Sequence, residues 1–171
     1  MARILNTKTL QYVAELAGDG PGRNLIGPAL LSLTKIDLEN HQFEYRLDPD
    51  NELLVYSIRK FGQKIPVLLR GAKPPYQLIC GFQRVRSLKA LGKEQVNVLI
   101  FKNITDEQAH RLSVVENEER KNLTDLDRGN ACKHLRDEGK TQEQIAEVMG
   151  CSRPKVSRYL TLLKLPPQPG L

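Results

Sequence analysis

Residues 141–165 read TQEQIAEVMGCSRPKVSRYLTLLKL. Thr141 followed three positions later by Gln144 is the capping-box pattern, so a helix starts there. Ile145, Ala146 and Met149 fall on one face of that helix. Gly150 supplies a sharp turn, Ser152 is placed to cap a second helix, and Pro154 is tolerated in its first turn. Val156, Tyr159 and Leu160 continue the apolar face, which leaves Ser152, Arg153, Lys155, Ser157, Arg158 and Thr161 pointing outward. Two helices pivoting on a glycine, the second presenting hydroxyls and cations, make a helix-turn-helix suited to a major groove. Thr141 and Gln142, at the start of the first helix, complete the expected DNA surface. The competing reading is a two-helix corner with a solvated basic face. Small-residue, glycine and apolar positions match together, which favours the DNA reader.

Charge agrees with that placement. The 171 residues carry 26 Lys and Arg against 20 Asp and Glu, a formal +6, which suits a polyanionic partner. From Arg120 onward there are ten Lys and Arg and six Asp and Glu, so most of the excess lies near the helix-turn-helix. Cys80, Cys132 and Cys151 are far apart with no CxxC pair, which argues against zinc and against a disulfide framework and fits a reducing cytoplasm. No stretch approaches the roughly 18 to 20 apolar residues that span a bilayer, and MARILNTKTLQ has no secretory-signal pattern. The expectation is a soluble cytoplasmic protein with no membrane partner. The ending PPQPGL, directly after a helix, reads as a natural tail or as a cut in a linker, with a dimerisation domain beyond Leu171.

The rest of the chain divides by pattern. Residues 1–31 read as a flexible arm: a short helix over 5–17, then the Gly/Pro-rich linker GDGPGRNLIGP over 18–28. Residues 32–121 alternate strands and helices. Leu33–Leu38 reads as an edge strand, Asn51–Phe61 as a helix ending near Gly62, and Ile65–Leu69 and Tyr76–Cys80 as short apolar strands. Phe82–Leu91 reads as a basic helix closed by Gly92, and Val96–Phe101 as a strand. Thr105 with Gln108 forms a second capping box opening a helix to about Arg120. Residues 122–171 are all-helical, with Thr124 capping a helix to about Asp137. The fold class is α+β, a small α/β module followed by a helical helix-turn-helix domain.

Two runs in the module carry candidate chemistry. Gly81-Phe82-Gln83-Arg84-Val85-Arg86 lies between strand and helix, where a glycine, free helix N–H groups and two arginines make a phosphate cradle. Its bland alternative is a solvated turn. Glu116-Asn117-Glu118-Glu119-Arg120 sits on a helix, with Glu116 and Arg120 four apart. Either they form a surface ion pair, or Glu116 and Asn117 are oxygen ligands for Mg²⁺ while Arg120 meets a phosphate. No nucleophile–base pair declares itself, and His41, His110 and His134 read as surface or packing residues.

The order SIRKFGQKIPVLL, YQLICGFQRVRSLKALG, VVENEERKNLTDLDRG and a helix-turn-helix closing in LTLLKLPP resembles the ParB partition-protein family. The family's Gly-Glu-Arg-Arg-x-Arg box stands here as Gly81-Phe82-Gln83-Arg84-Val85-Arg86. Its Glu-Asn-x-x-Arg-x-x-Leu box is intact as Glu116, Asn117, Arg120 and Leu123. The resemblance implies a ParB/sulfiredoxin-like module that binds CTP with Mg²⁺, a domain that recognises palindromic double-stranded DNA, and a homodimeric clamp at a nucleoid or plasmid. It implies triphosphate contacts from Gly81 and Arg84, with Arg86 alongside, Mg²⁺ near Glu116 and Asn117, and Arg120 near the phosphates. The segment from Gly62 through Pro66 to Val67 would border the nucleotide. The arm, with Arg23, would stimulate a ParA-type ATPase. Phe82 and Gln83 replace an acid and an arginine, and a lost Arg–phosphate contact of about 1.5 to 3 kcal/mol weakens nucleotide binding roughly ten- to a hundredfold. Hydrolysis of CTP to CDP is a weaker expectation than binding. A transcriptional repressor with a vestigial pocket is the alternative, and a redox enzyme using Cys80 the third reading.

Overall fold

The computed structural model describes residues 5, 7–18, 24–45, 52–118 and 124–164. Helix α1 (Thr7–Ala17) precedes β1 (Leu25–Ser32), a 3-10 turn (Leu33–Lys35) and β2 (Ile36–Asp37). Then come α2 (Glu52–Phe61), β3 (Val67–Arg70), β4 (Tyr76–Cys80), α3 (Phe82–Ala90), β5 (Gln95–Phe101) and α4 (Asp106–Glu118). Three further helices follow: α5 (Asp125–Asp137), α6 (Gln142–Met149) and α7 (Arg153–Leu162). This is the α+β architecture expected from the sequence.

The strands form one sheet in the order β1-β5-β3-β4-β2. Pairing alternates: β1–β5 and β3–β4 are antiparallel, β3–β5 and β2–β4 parallel. Its centre is apolar at successive positions because both faces are covered. Val67, Leu69, Leu78, Val98 and Ile100 pack with Ile58, Val85 and Leu88 from α2 and α3. Leu68, Ile79, Leu99 and Phe101 pack with Val13, Leu16, Ala109 and Leu112 from α1 and α4.

The expected linker over 18–28 needs correction. From Leu25 it is β1, running against β5. Gly27-Pro28 hid the strand from pattern reading, and the register shift between Ile26 and Ala29 accommodates it. β1 lies at the sheet edge, where proline's missing N–H costs no ladder bond. Asn24 pins its start: its side-chain amide donates to the carbonyls of Asn103 (2.7 Å) and Leu16 (3.2 Å). Residues 19–23, Arg23 included, lie outside the described residues. The expected edge strand at Leu33–Leu38 is instead the 3-10 turn and the two-residue β2, with Ser32 accepting from the Thr34 N–H.

The helical domain follows its capping signals. Both reciprocal bonds of the capping box are present at Thr124 with Asp127 and at Thr141 with Gln144. Gly150 ends α6 in the left-handed conformation, φ 62°. Ser152 occupies the N-cap of α7 without a side-chain bond, and Pro154 sits in the first turn. Ile145, Ala146, Met149, Val156, Tyr159 and Leu160 are buried together with Cys132 and Leu135 of α5. Helices α5 and α7 touch at Gly129, where a Cβ would lie 2.8 Å from the Tyr159 carbonyl and 3.1 Å from Leu163 Cγ.

The two parts share a seam. Tyr45 and Val114 belong to the helical-domain core although they come from the module. His110 of α4 is wholly buried, its Nε2 lies 2.8 Å from Glu138 Oε2, and its Nδ1 bonds the Tyr45 hydroxyl. A carboxylate can only accept, so Nε2 carries the proton and Nδ1 accepts from Tyr45 O–H. Burial pushes the His110 pKa below its ordinary value, against the opposing pull of Glu138 and Asp106, with His134 adding to the depression.

Two outcomes follow from this packing. Gly129→Ala gains about 1 kcal/mol of helix propensity but forces α7 outward, so a net loss of about 1 to 2 kcal/mol in urea unfolding is expected; a stabilised variant would mean α7 yields freely. The unfolded chain protonates His110 near pH 6.5 while the folded one resists to lower pH. Stability therefore falls as pH drops below about 6.5, and the slope of unfolding free energy between about pH 7 and 5.5 should be shallower in His110→Gln than in wild type.

Candidate ligand cleft and nucleic-acid interface

A half-open cleft of about 570 Å³, its mouth included, lies where α3 leaves β4. One wall is the segment Phe43-Glu44-Tyr45, another the strand-to-helix turn Ile79–Arg84, and a third Ser113, Glu116 and Asn117 of α4. Gly81 makes the turn possible. It has φ 101°, and a Cβ there would sit 2.7 Å from Val67 Cγ1. Only glycine meets both demands, and the first residues of α3, whose N–H groups have no partner within the helix, line the cleft.

Arg84 and Glu116, placed by the sequence in separate boxes, meet here. Arg84 Nη2 lies 2.6 Å from Glu116 Oε1, and the two residues are 4% and 3% exposed. Arg84 Nη1 also donates to the carbonyls of Ile65 and Pro66. The turn with two arginines is therefore not a solvated surface at Arg84, and Glu116 does not depend on Arg120 for a partner. Asn117 lines the same cleft, its amide donating to the Ser113 carbonyl at 2.8 Å.

Other expected contacts fall elsewhere. Arg86 points away from Arg84 and forms a two-pronged pair with Glu44, one arm at 2.8 Å. Gly62 closes α2 with φ 71° and does not line the cleft, and Pro66 reaches it only through the Arg84 bond. Arg120 and Leu123 lie outside the described residues. Phe43, Glu44 and Tyr45 are cleft residues that sequence reading missed, because a segment without regular structure gives no periodicity to read; Ser113, on the predicted helix α4, was missed because helical period does not mark which buried face lines a cleft.

The donor set fits a nucleotide with a hard cation in part. A helix N-terminus suits phosphate, and Glu116 with Asn117 offers oxygen to Mg²⁺. Against that, Arg84 is the one cation among the described lining residues, and Glu116 already neutralises it. Among the described residues no cluster of three His, Cys, Asp or Glu is poised for a metal. Cys80 is 2% exposed and packed in the core. The Cys132 thiol is pushed up to about 12 by burial, with Cys151 adding to it. Neither position favours a reactive thiolate.

On the helical domain the expected DNA residues share one outward face. Ser152, Arg153, Lys155, Ser157, Arg158 and Thr161 are all exposed, with Thr141 exposed and Gln142 half-buried at the start of α6. Arg153 Nη1 pairs with Glu143 at 3.0 Å and its Nε reaches Gln142 Oε1 at 3.5 Å. Arg158 pairs with Asp125 at 2.7 Å. Thr161 donates to the Ser157 carbonyl. Among the described residues Lys155 has no carboxylate within salt-bridge distance. No helix among the described residues is long and apolar enough to cross a membrane.

Comparison with known proteins gives a consistent family. Residues 26–118 match the ParB N-terminal domain and residues 121–169 the ParB HTH domain. The chain is 37% identical over 139 residues to a probable chromosome-partitioning protein ParB of Coxiella burnetii, covering 80% of this chain and 48% of that one. It is 35% identical over 115 residues to the chromosome-partitioning protein Spo0J of Thermus thermophilus, covering 67% and 42%. It thus spans about half the length of the curated relatives it matches. The fold is also that of a Pnob8-like ParB-N domain, at TM-score 0.58 and 19% identity over 81% of this chain and 70% of the other. The sheet-bearing module with its Gly81 turn and the helix-turn-helix that follows it place the chain in the ParB family.

Proposed function

We propose that this chain is a site-specific DNA-binding protein of chromosome or plasmid partition, whose helical domain reads a palindromic site as a homodimer. The observation that carries the reading is the solvent-exposed side of α7, where Arg153, Ser157 and Thr161 form one stripe and Arg158 and Lys155 continue around the helix. Its other face, Val156, Tyr159 and Leu160, is locked into the domain core. A helix so held presents its outer side chains to a groove with little loss of order on binding. Cations on that face fix register on phosphates, while hydroxyls and any arginine that reaches a base edge supply sequence preference. Arg153 and Arg158 exchange exposed carboxylate partners for DNA, a modest cost because such surface pairs are weak.

The cleft, in the same reading, takes CTP with Mg²⁺, as the family resemblance implies. When bound, the nucleotide would bring a triphosphate and a metal charge to the cleft. This chain's own part is to offer the N–H groups after Gly81 to phosphate and the oxygens of Glu116 and Asn117 to the cation. Glu116 must then turn from Arg84, which frees that guanidinium for the phosphates. A ParA-type ATPase remains the proposed partner of the N-terminal arm. The second reading, a repressor with a vestigial pocket, is favoured by one observation: Arg84 and Glu116 are each other's buried partner.

Titration calorimetry with CTP, ATP and GTP, with and without Mg²⁺, separates the two readings. Selective Mg²⁺-dependent CTP binding is expected; heat from none of the three, with the protein folded, would overturn the clamp and leave a static DNA binder, which favours the repressor reading. On the DNA side, Lys155→Ala should weaken all sequences alike and lower the salt slope by about 1. Arg158→Ala should cost about 1 to 3 kcal/mol on the selected site and less on random duplex. Equal losses on both duplexes would make Arg158 a phosphate contact.

A further inference from the structure

The segment Gln42–Tyr45 belongs to two structures at once. Phe43, Glu44 and Tyr45 wall the cleft. The same segment holds the helical domain: Gln42 donates to Glu138 Oε1 at 2.7 Å, and the Tyr45 hydroxyl meets His110, whose other nitrogen meets Glu138. The Tyr45 ring stacks on His110 at 5.9 Å between centroids and meets His134 of α5 edge-on at 5.8 Å. On the module side Gln42 accepts from Gln77 at 2.8 Å and reaches Asp106 at 3.4 Å. Arg70 fixes both of these, donating to Gln77 at 2.7 Å and pairing with Asp106 at 2.6 Å. The segment is thus tied to β3, β4, α4 and the end of α5 by named bonds.

We infer that Tyr45, His110 and Glu138 are positioning residues that set the DNA-reading domain against the cleft through this strap. The inference rests on the cleft reading only for its ligand; the joint itself stands on geometry. His110 and Tyr45 are 0% and 2% exposed, so the bond between them is dry, while the Glu138 carboxylate that ends the chain reaches solvent. Removing the Tyr45 hydroxyl leaves the buried His110 Nδ1 unpaired instead of handing it to water. A directional bond buried at the seam has few alternative arrangements, so the domain it helps to hold takes a discrete pose. Phe43, Glu44 and Tyr45 form one wall of the cleft, so a ligand that presses on that wall loads the Tyr45–His110 and Gln42–Glu138 bonds. Cleft and reader then share a coupling free energy, which is reciprocal.

Tyr45→Phe removes the hydroxyl alone and keeps the ring in both the core and the cleft wall. Glu138→Gln keeps an oxygen to accept from His110 and serves as the conservative control. Spin labels at Lys89→Cys on α3 and Lys133→Cys on α5, both exposed positions, in a Cys151→Ser background, report the domain pose of the ligand-free protein by pulsed electron resonance. The expected result is one narrow distance population in the parent and in Glu138→Gln, and a broadened or split one in Tyr45→Phe. An unchanged narrow population in Tyr45→Phe overturns the joint whether or not the cleft binds nucleotide. In unlabelled protein, Mg²⁺–CTP is expected to change the affinity for a duplex selected from a random pool by at least about fivefold, a change that Tyr45→Phe reduces to within about twofold of none. Coupling retained in full by Tyr45→Phe also overturns it. Absence of CTP binding in the parent sinks the cleft reading instead, and the distance measurement then decides the joint alone.

Discussion

The buried ion pair between Arg84 and Glu116 is the constraint around which the module is arranged. Two charges taken from water cost several kcal/mol each unless geometry and further bonds offset that cost. Here the guanidinium meets the carboxylate at 2.6 Å and also holds the Ile65 and Pro66 carbonyls. One side chain thereby joins α3, α4 and the segment entering β3. Gly81 is glycine partly for the same reason, since a Cβ there would lie 3.2 Å from Arg84 Cζ as well as against Val67. The pair also sets the electrostatics of the cleft. A ligand that leaves the pair intact meets a nearly neutral floor beside Glu44, whereas one carrying both phosphate and a divalent cation can satisfy each partner separately. Such pairs are weak evidence for stability, because replacing both partners by well-packed apolar groups is often neutral, whereas removing one partner leaves a buried charge.

Much of this was legible in the sequence, and what was not has physical reasons. Capping boxes at Thr105, Thr124 and Thr141 are local, so their bonds form wherever three residues of helix follow. The helix-turn-helix core at Ile145, Ala146, Met149, Val156, Tyr159 and Leu160 follows from helical period alone. β1 was hidden because Gly27 and Pro28 break a strand pattern that only an edge with a bulge can carry. Arg84 and Glu116 were both read as site residues, but their partnership spans 32 positions and no local rule reports it. Arg86, two residues from Arg84, was grouped with it; on a helix that spacing points side chains apart, and Arg86 serves Glu44 instead. His110 reads as an ordinary histidine in the sequence. Its importance comes from Tyr45 and Glu138, 65 and 28 positions away.

Helix α4 shows why the two parts of this chain cannot be understood as independent modules. Ala109 and Leu112 seal one face of the sheet. Ser113, Glu116 and Asn117 line the cleft, and Val114 enters the core of the helical domain. His110 supplies the polar bridge to Glu138 at the end of α5. A helix has only one set of backbone degrees of freedom, so a rotation that moves Glu116 by a fraction of a turn also moves Val114 and His110. The cleft therefore cannot rearrange along α4 without pressing on the domain that carries α7. Close-packed interfaces of this kind switch between discrete arrangements instead of deforming smoothly. The cleft and the helix-turn-helix thus share one helix and one chain of hydrogen bonds, which is the physical route along which the proposed coupling would run.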